Sequence, residues 1–119
     1  MKQSFRDLLV WRKAMTLVID VYRITREFPR EERYGLTAQI RRAAVSVPSN
    51  IAEGQARPTR GEFRQFLGHS KGSLAELETP LLIAENLGYF DEPNHLQDQI
   101  AEVGRMLSGL LASLSTVRA

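Results

Sequence analysis

The sequence predicts an all-α protein: an antiparallel, up-down four-helix bundle formed by a single domain over residues 1–119. Apolar residues recur at helical spacing almost throughout the chain, and no segment shows the strict alternation of a strand. Capping and breaking residues divide the chain into four amphipathic segments with short connections, which favour antiparallel neighbours. A chain of 119 residues is one domain in size, which excludes a two-domain architecture.

Helix one is predicted from Ser4, which stands with Asp7 at capping-box spacing, to a point before Pro29. Its apolar arc spans about 220° at 100° per residue, roughly twice the width that an outer helix of a bundle needs. We therefore expect part of this surface to be buried by another copy of the chain. The residues assigned to that oligomer interface are Trp11, Met15, Val18 and Tyr22.

Helix two follows the acidic pair Glu31 and Glu32, which suits a helix N-terminus, and ends at Gly54. Pro48 lies inside its apolar pattern and predicts a kink, or a break with a restart at Ser49, because it removes one backbone hydrogen bond. The apolar side of this helix is formed by Leu36, Ile40, Ala43, Ala44, Val47 and Ile51.

Helix three begins at a capping box in which Thr59 and Glu62 bond each other's backbone amides, and Gly88 ends it. Pro80 predicts a second kink. Helix four is expected to start at Asp91, with Pro93 just inside it. Both helices carry seams that alternate steps of three and four residues. These seams are Phe63, Leu67, Ser70, Leu74, Leu77, Leu81 and Ala84 in helix three, and Leu96, Ile100, Val103, Leu107, Leu110, Leu114 and Val117 in helix four.

Charge is divided unevenly along the chain. Residues 1–71 carry 14 Lys and Arg against 7 Asp and Glu, whereas residues 72–119 carry 2 against 7, so the net charge of +2 combines +7 with −5. A basic half of this kind predicts either a surface that attracts a polyanion or a surface that meets its acidic complement inside an oligomer.

The candidate polyanion-binding residues are basic side chains that one turn between helices two and three can bring into a contiguous patch. They are Arg41, Arg42, Arg57, Arg60, Arg64 and Lys71. The alternative is an ordinary solvated surface in which Arg64 pairs with carboxylates near Glu62. Because aromatic residues are sparse among these cations, phosphate contacts rather than base contacts should dominate any binding of nucleic acid.

Residues suited to catalysis or metal binding are few, and we predict no enzyme activity, cofactor or metal site. The absence of cysteine excludes thiolate chemistry and fits a reducing compartment. Glu92 and His95 have the Glu-x-x-His spacing of di-iron bundles, but no second such motif accompanies them. Gly68 and Gly72 suit a close helix contact better than a phosphate loop. No run of about 18 apolar residues is present, so we expect a cytoplasmic protein without a membrane span.

Several segments resemble one bacterial family of four-helix bundles, the 23S rRNA intervening sequence proteins. The most specific is Arg41-Arg42-Ala43-Ala44-Val45-Ser46-Val47-Pro48-Ser49-Asn50-Ile51-Ala52-Glu53-Gly54, and segments 9–14, 28–36, 39–40, 72–79 and 84–89 extend the resemblance over nearly the whole chain. The resemblance implies a pentameric ring of four-helix bundles. A related protein, the accessory variability determinant of diversity-generating retroelements, is a basic pentamer that binds a reverse transcriptase and nucleic acid.

Two functions therefore remain open at the level of sequence. The first is a non-enzymatic homo-oligomer, expected to be a pentamer, that binds RNA or DNA through a repeated basic surface. The second is a protein-interaction adaptor for an acidic partner such as a reverse transcriptase, without direct binding of nucleic acid. Exposure of the arginines favours the first, and their pairing across subunits would make them structural.

Overall fold

The computed structural model describes residues 4–91 and 95–115, which form four α-helices and no strand. The helices are α1 (Leu9–Thr25), α2 (Leu36–Ala56), α3 (Arg60–Asn86) and α4 (His95–Ser115), with short 3₁₀ turns at Phe5–Asp7 and Arg30–Glu32. They lie together in a bundle of 52 × 21 × 20 Å. The predicted all-α class and the four helices are confirmed.

The start of α1 differs from the prediction. The Ser4 hydroxyl accepts from the amide of Arg6 at 3.2 Å and so caps the 3₁₀ turn, while Leu8 has an extended backbone and α1 begins only at Leu9. Phe5 explains the arrangement, because its ring packs edge-on against Trp11 at 5.2 Å between centroids. Folding the first residues back over α1 covers apolar surface that a straight helical extension would leave in water.

The start of α2 is fixed by Glu32, as the acidic pair suggested. Its Oε1 accepts from the amide of Leu36 at 3.1 Å, which satisfies one of the free donors at the helix N-terminus. Its Oε2 accepts from the hydroxyl of Tyr89 at 2.9 Å. One carboxylate therefore joins the start of α2 to the turn after α3, where Gly88 has a φ of 79°.

Neither internal proline breaks its helix. α2 runs without interruption through Pro48, and α3 through Pro80. Of the two alternatives predicted at Pro48, the break with a restart at Ser49 is wrong, while the kink there and the kink at Pro80 stay predictions. Both proline rings are buried in the bundle, and their packing offsets the backbone hydrogen bond that each removes.

α2 and α3 form the most extensive helix pair, because small residues allow them to approach closely. The Ser46 and Ser73 hydroxyls lie 2.7 Å apart, and the Ser70 hydroxyl donates to the Val47 carbonyl at 2.9 Å. Gly54 is so close to α3 that a Cβ built on it would lie 2.7 Å from the Cβ of Phe66. Gly68 and Gly72, in contrast, would each gain a Cβ with no neighbour within 4 Å among the described residues, so they do not form the helix contact predicted for them.

The predicted seams of α3 and α4 supply part of the core, which they share with the buried faces of α1 and α2. Every residue of the α3 seam is buried except Phe63, which is half-buried, and the α4 seam is buried from Leu96 to Leu107. α4 also contacts α1, because Gln99 donates to Asp20 at 3.0 Å and Lys13 forms an ion pair with Glu102 at 3.3 Å. The predicted helix-four start at Asp91 and Pro93 involves residues 92–94, which lie outside the described residues, as does Val117.

Candidate nucleic-acid interface

The six predicted basic residues fall into two groups. Arg41 and Arg42 lie in the first two turns of α2, whereas Arg57 follows its last residue and Arg60 lies in the first turn of α3. At 1.5 Å per residue, Arg41 and Arg57 are about 24 Å apart along α2. This distance is nearly half the length of the bundle, so the residues are spread along the molecule rather than gathered at one turn.

The group on α3 presents exposed cations. Arg60, Arg64 and Lys71 are exposed, and none forms an ion pair with a residue that the structure describes. The predicted alternative pairing of Arg64 with carboxylates near Glu62 is not present among the described residues, and the Glu62 carboxylate instead accepts from the Thr59 hydroxyl at 2.9 Å. We call these three residues the α3 cations.

The guanidinium of Arg57 contacts two side chains of its own chain, Glu53 and Phe66. Its Nη2 lies 2.9 Å from the Glu53 carboxylate, and its guanidinium stacks 4.9 Å from the centre of the Phe66 ring. Since an exposed pair of this kind contributes little to stability, its main effect is to orient the guanidinium over the ring. Arg57 is therefore a partly neutralised member of the predicted set.

Arg41 is held in a defined orientation at the end of α1. Its Nε donates to the Thr25 hydroxyl at 2.8 Å, its Nη2 donates to the Tyr22 carbonyl at 3.4 Å, and its guanidinium lies 4.4 Å from the centre of the Tyr22 ring. A cation at this position also complements the partial negative charge of the α1 C-terminus. Arg42, one residue further, is exposed.

Three further arginines accompany Arg41, and the sequence reasoning missed them. A cleft of about 380 Å³ lies between the end of α1 and the start of α2, and Arg26, Arg30 and Arg33 line it together with Arg41. An adjoining cleft of about 740 Å³ shares Arg33 and Arg41 with it. The sequence signal for this cleft was the close spacing of these arginines around Pro29. They lie in a short connection, which keeps the start of α2 next to the end of α1.

The predicted oligomer interface lies in a shallow apolar groove between α1 and α2. Trp11, Met15 and Val18 are half-buried, and Tyr22 is exposed beyond the end of the groove. The opposite wall belongs to α2 and includes Val45, which is 40% exposed. The surface assigned to a partner is thus an open apolar strip, formed by two helices rather than by helix one alone.

The two histidines form no metal cluster with the described residues, although His69 lies on α3 between Arg64 and Lys71. His69 is exposed and packs edge-on against Phe66 at 5.5 Å, and the Nε2 of His95 lies 3.6 Å from the carboxylate of Asp20. Within residues 4–91 and 95–115, no group of three or more His, Asp or Glu side chains is arranged to hold a metal ion. No helix in the same residues is long and apolar enough to cross a membrane.

The bundle defines the class of protein: an all-α four-helix protein that exposes an apolar groove and several arginines. The model of the family described as 23S rRNA-intervening sequence protein matches residues 6–109, which include the first three helices and most of the fourth. The chain belongs to this family. No curated protein matches it in sequence.

Proposed function

We propose that this protein is a non-enzymatic homo-oligomer that binds RNA or DNA backbones through a repeated basic surface. The observation that supports the proposal is the set of α3 cations, which are exposed along one helix and free of carboxylate partners among the described residues. Arginine and lysine in this state exchange bound water for phosphate oxygens, and each contact releases a counterion from the nucleic acid.

The proposed assembly is a pentameric ring of bundles with antiparallel, up-down helices. Support for antiparallel neighbours comes from α2 and α3, since Gly54 near the end of α2 contacts Phe63 and Phe66 near the start of α3, while Ser46 contacts Ser73. The apolar groove between α1 and α2 supplies the surface for a partner copy. A ring repeats the same basic surface, and repetition raises the effective affinity of weak individual contacts.

Charge along α3 is consistent with a head-to-tail ring. The α3 cations lie in its first half, and its second half carries the exposed carboxylates Glu76 and Glu78. In a ring each copy uses two different surfaces, so a basic region of one copy can approach an acidic region of the next. The binding proposal requires that this approach leave the α3 cations unpaired, because pairing across subunits would make them structural.

Binding is tested by titrating labelled RNA and DNA at 50 and 200 mM salt. We expect micromolar affinity at low salt and a steep decrease at higher salt, with a slope of about 0.7–0.9 per phosphate contact. The test variant replaces the α3 cations by glutamine. Its control has the same net charge and replaces Lys13, Arg23 and Arg105 by glutamine. Only the variant that lacks the α3 cations should show a smaller dependence of the binding constant on salt concentration. No shift near micromolar protein at low salt overturns the binding of nucleic acid and leaves the adaptor function.

The assembly is tested separately by light scattering at tens of micromolar protein. Val45→Lys places a charge on the apolar groove and should lower the mass toward that of one chain. Leu82→Lys is the control, because Leu82 has nearly the same exposure, 42% against 40%, and lies on α3 outside the groove. A monomer for the wild-type protein, or equal masses for the two variants and the wild type, refutes the assignment of this groove.

A further inference from the structure

A second cluster of arginines, separate from the α3 cations, lies at the corner between α1 and α2. Two clefts, of about 380 and 740 Å³, adjoin there and share Arg33, Thr37 and Arg41. We propose that this corner binds an unpaired strand of nucleic acid, with its phosphates on the arginines and a base on Tyr34. The residues of this corner site are Arg26, Arg30, Arg33, Tyr34, Arg41 and Arg42.

The smaller cleft has the chemistry of a phosphate site. Four arginines line it, no carboxylate lines it, and none of the four forms an ion pair with a described residue. Glu27, Glu31 and Glu32 adjoin these arginines in sequence but do not line the cleft, and Glu32 is engaged by the Leu36 amide and the Tyr89 hydroxyl. One guanidinium group can bind two phosphate oxygens at once, and it is weakly hydrated. Several guanidinium groups in one cleft therefore favour a phosphate over a carboxylate, which carries less charge.

Arg41 is prepared for such a ligand before it arrives. The hydroxyl of Thr25 and the carbonyl and ring of Tyr22 fix its guanidinium, while part of the side chain remains accessible. A side chain that is already ordered loses less conformational entropy on binding. Tyr22 is thus a positioning residue for Arg41, and the ligand need not reach its ring.

Tyr34 is the feature that favours bases as well as phosphates. It is 87% exposed, the highest value among the large apolar side chains that the structure describes as exposed, and it lines the larger cleft. The guanidinium of Arg33 lies 5.8 Å from its ring centre. A base that stacks on an exposed aromatic ring next to an arginine gains a contact that no phosphate site alone provides, and this contact does not depend on sequence.

An unpaired strand fits this arrangement better than a duplex or a single nucleotide. In a duplex both faces of each base are covered, so Tyr34 would have nothing to stack on. A single nucleotide has too little charge for the five arginines of the corner site, whereas consecutive phosphates of a strand can reach both clefts. The inference rests on the proposed function, because it adds a site for an unpaired strand to a protein proposed to bind RNA or DNA backbones.

The test measures fluorescence anisotropy with labelled 12-nucleotide strands of uridine and of adenosine and with a 12-base-pair duplex. Tyr34→Ala should weaken strand binding about 5- to 150-fold without changing the salt slope, and should leave duplex binding within about twofold. Tyr34→Phe, which keeps the ring, should bind as the wild type does. Arg30→Gln with Arg33→Gln should lower the slope for a strand by about 1.4. Arg23→Gln with Arg105→Gln is the control of equal charge.

The outcomes separate this inference from the proposed function. Suppose that the variant with glutamine in place of the α3 cations loses binding, while Tyr34→Ala and the double variant of Arg30 and Arg33 bind as the wild type does. The corner site is then refuted and the proposed function stands. Equal losses for strand and duplex in Tyr34→Ala also refute it. If uridine monophosphate competes as well as the 12-nucleotide strand at equal nucleotide concentration, the ligand is a free nucleotide and the strand assignment is overturned. If the wild type binds no nucleic acid, both fail.

Discussion

Gly54 provides the most direct test of how closely α2 and α3 approach. In Gly54→Ala the new Cβ would lie 2.7 Å from the Cβ of Phe66, 3.1 Å from Cδ1 of Phe63 and 3.3 Å from the Phe63 carbonyl oxygen. Favourable carbon contacts are about 3.5–4.0 Å, so the start of α3 must move by about 0.8 Å or more. Two of these three atoms are fixed to the α3 backbone and cannot rotate away.

The expected change in stability combines two opposing terms. Overpacking a core contact costs about 1–3 kcal/mol, and replacing glycine by alanine inside a helix returns about 1 kcal/mol. We therefore expect Gly54→Ala to lower the free energy of unfolding by about 1 kcal/mol, with about 2 kcal/mol as the upper end. The measurement is urea unfolding followed by circular dichroism at one protein concentration, with the slope checked for two-state behaviour.

Gly68→Ala is the matched control, because it makes the same substitution inside α3 where a Cβ meets nothing within 4 Å in the described structure. It should raise the free energy of unfolding by about 0.5–1 kcal/mol. The two substitutions should therefore change the free energy of unfolding in opposite directions. If Gly54→Ala stabilises the protein as much as Gly68→Ala does, the close approach of α2 and α3 at Gly54 is refuted.

Three further predictions concern the cap of α3, the end of the bundle and the core. Thr59→Ala should lower stability by about 1 kcal/mol in urea unfolding, since its hydroxyl accepts from the Glu62 amide at 3.1 Å, whereas Thr59→Ser should be close to neutral. The hydrogen bond to Glu32, followed by partial burial and the charges of neighbouring glutamates, raises the pKa of the Tyr89 phenol. The stabilisation by this hydrogen bond is present below the ordinary pKa of tyrosine and is lost as the pH rises through the raised pKa of Tyr89. Thermal melting should therefore show a smaller loss of stability at alkaline pH for Tyr89→Phe than for the wild type, and equal losses contradict the contact. Leu77→Ala, at a fully buried position, should cost about 2–5 kcal/mol, and a loss below 1 kcal/mol would place Leu77 outside the core.

Most of the fold could be predicted because its signals are local. The α3 seam is buried as predicted, and Thr59 caps α3, although the Glu62 carboxylate accepts from the Thr59 hydroxyl rather than from its amide. The break predicted as one alternative at Pro48 was wrong because packing overrides a local preference, whereas the kinks at Pro48 and Pro80 stay predictions. Pro48 and Pro80 disfavour helix by themselves, yet burial of their rings in the bundle keeps α2 and α3 continuous.

The candidate site was predicted less completely. The sequence predicts that one turn between α2 and α3 brings the six basic residues into one patch, but Arg41 lies about 24 Å from Arg57 along α2. Arg26, Arg30 and Arg33 were not chosen, although the connection from α1 to α2 brings them to one cleft with Arg41. Sequence distance is a poor guide here, because a rigid helix carries its residues apart while a short connection brings two helices together.

The sequence by itself determined four helices, their buried faces and the uneven charge along the chain. These properties depend on a repeat of 3.6 residues and on capping groups within a few positions of each other. Only the tertiary structure decided that Arg41 is fixed by Thr25 and Tyr22, that Tyr34 stands exposed beside Arg33, and that Gly54 rather than Gly68 forms the tight helix contact. Each of these depends on which helix faces lie together, and long-range packing sets that arrangement.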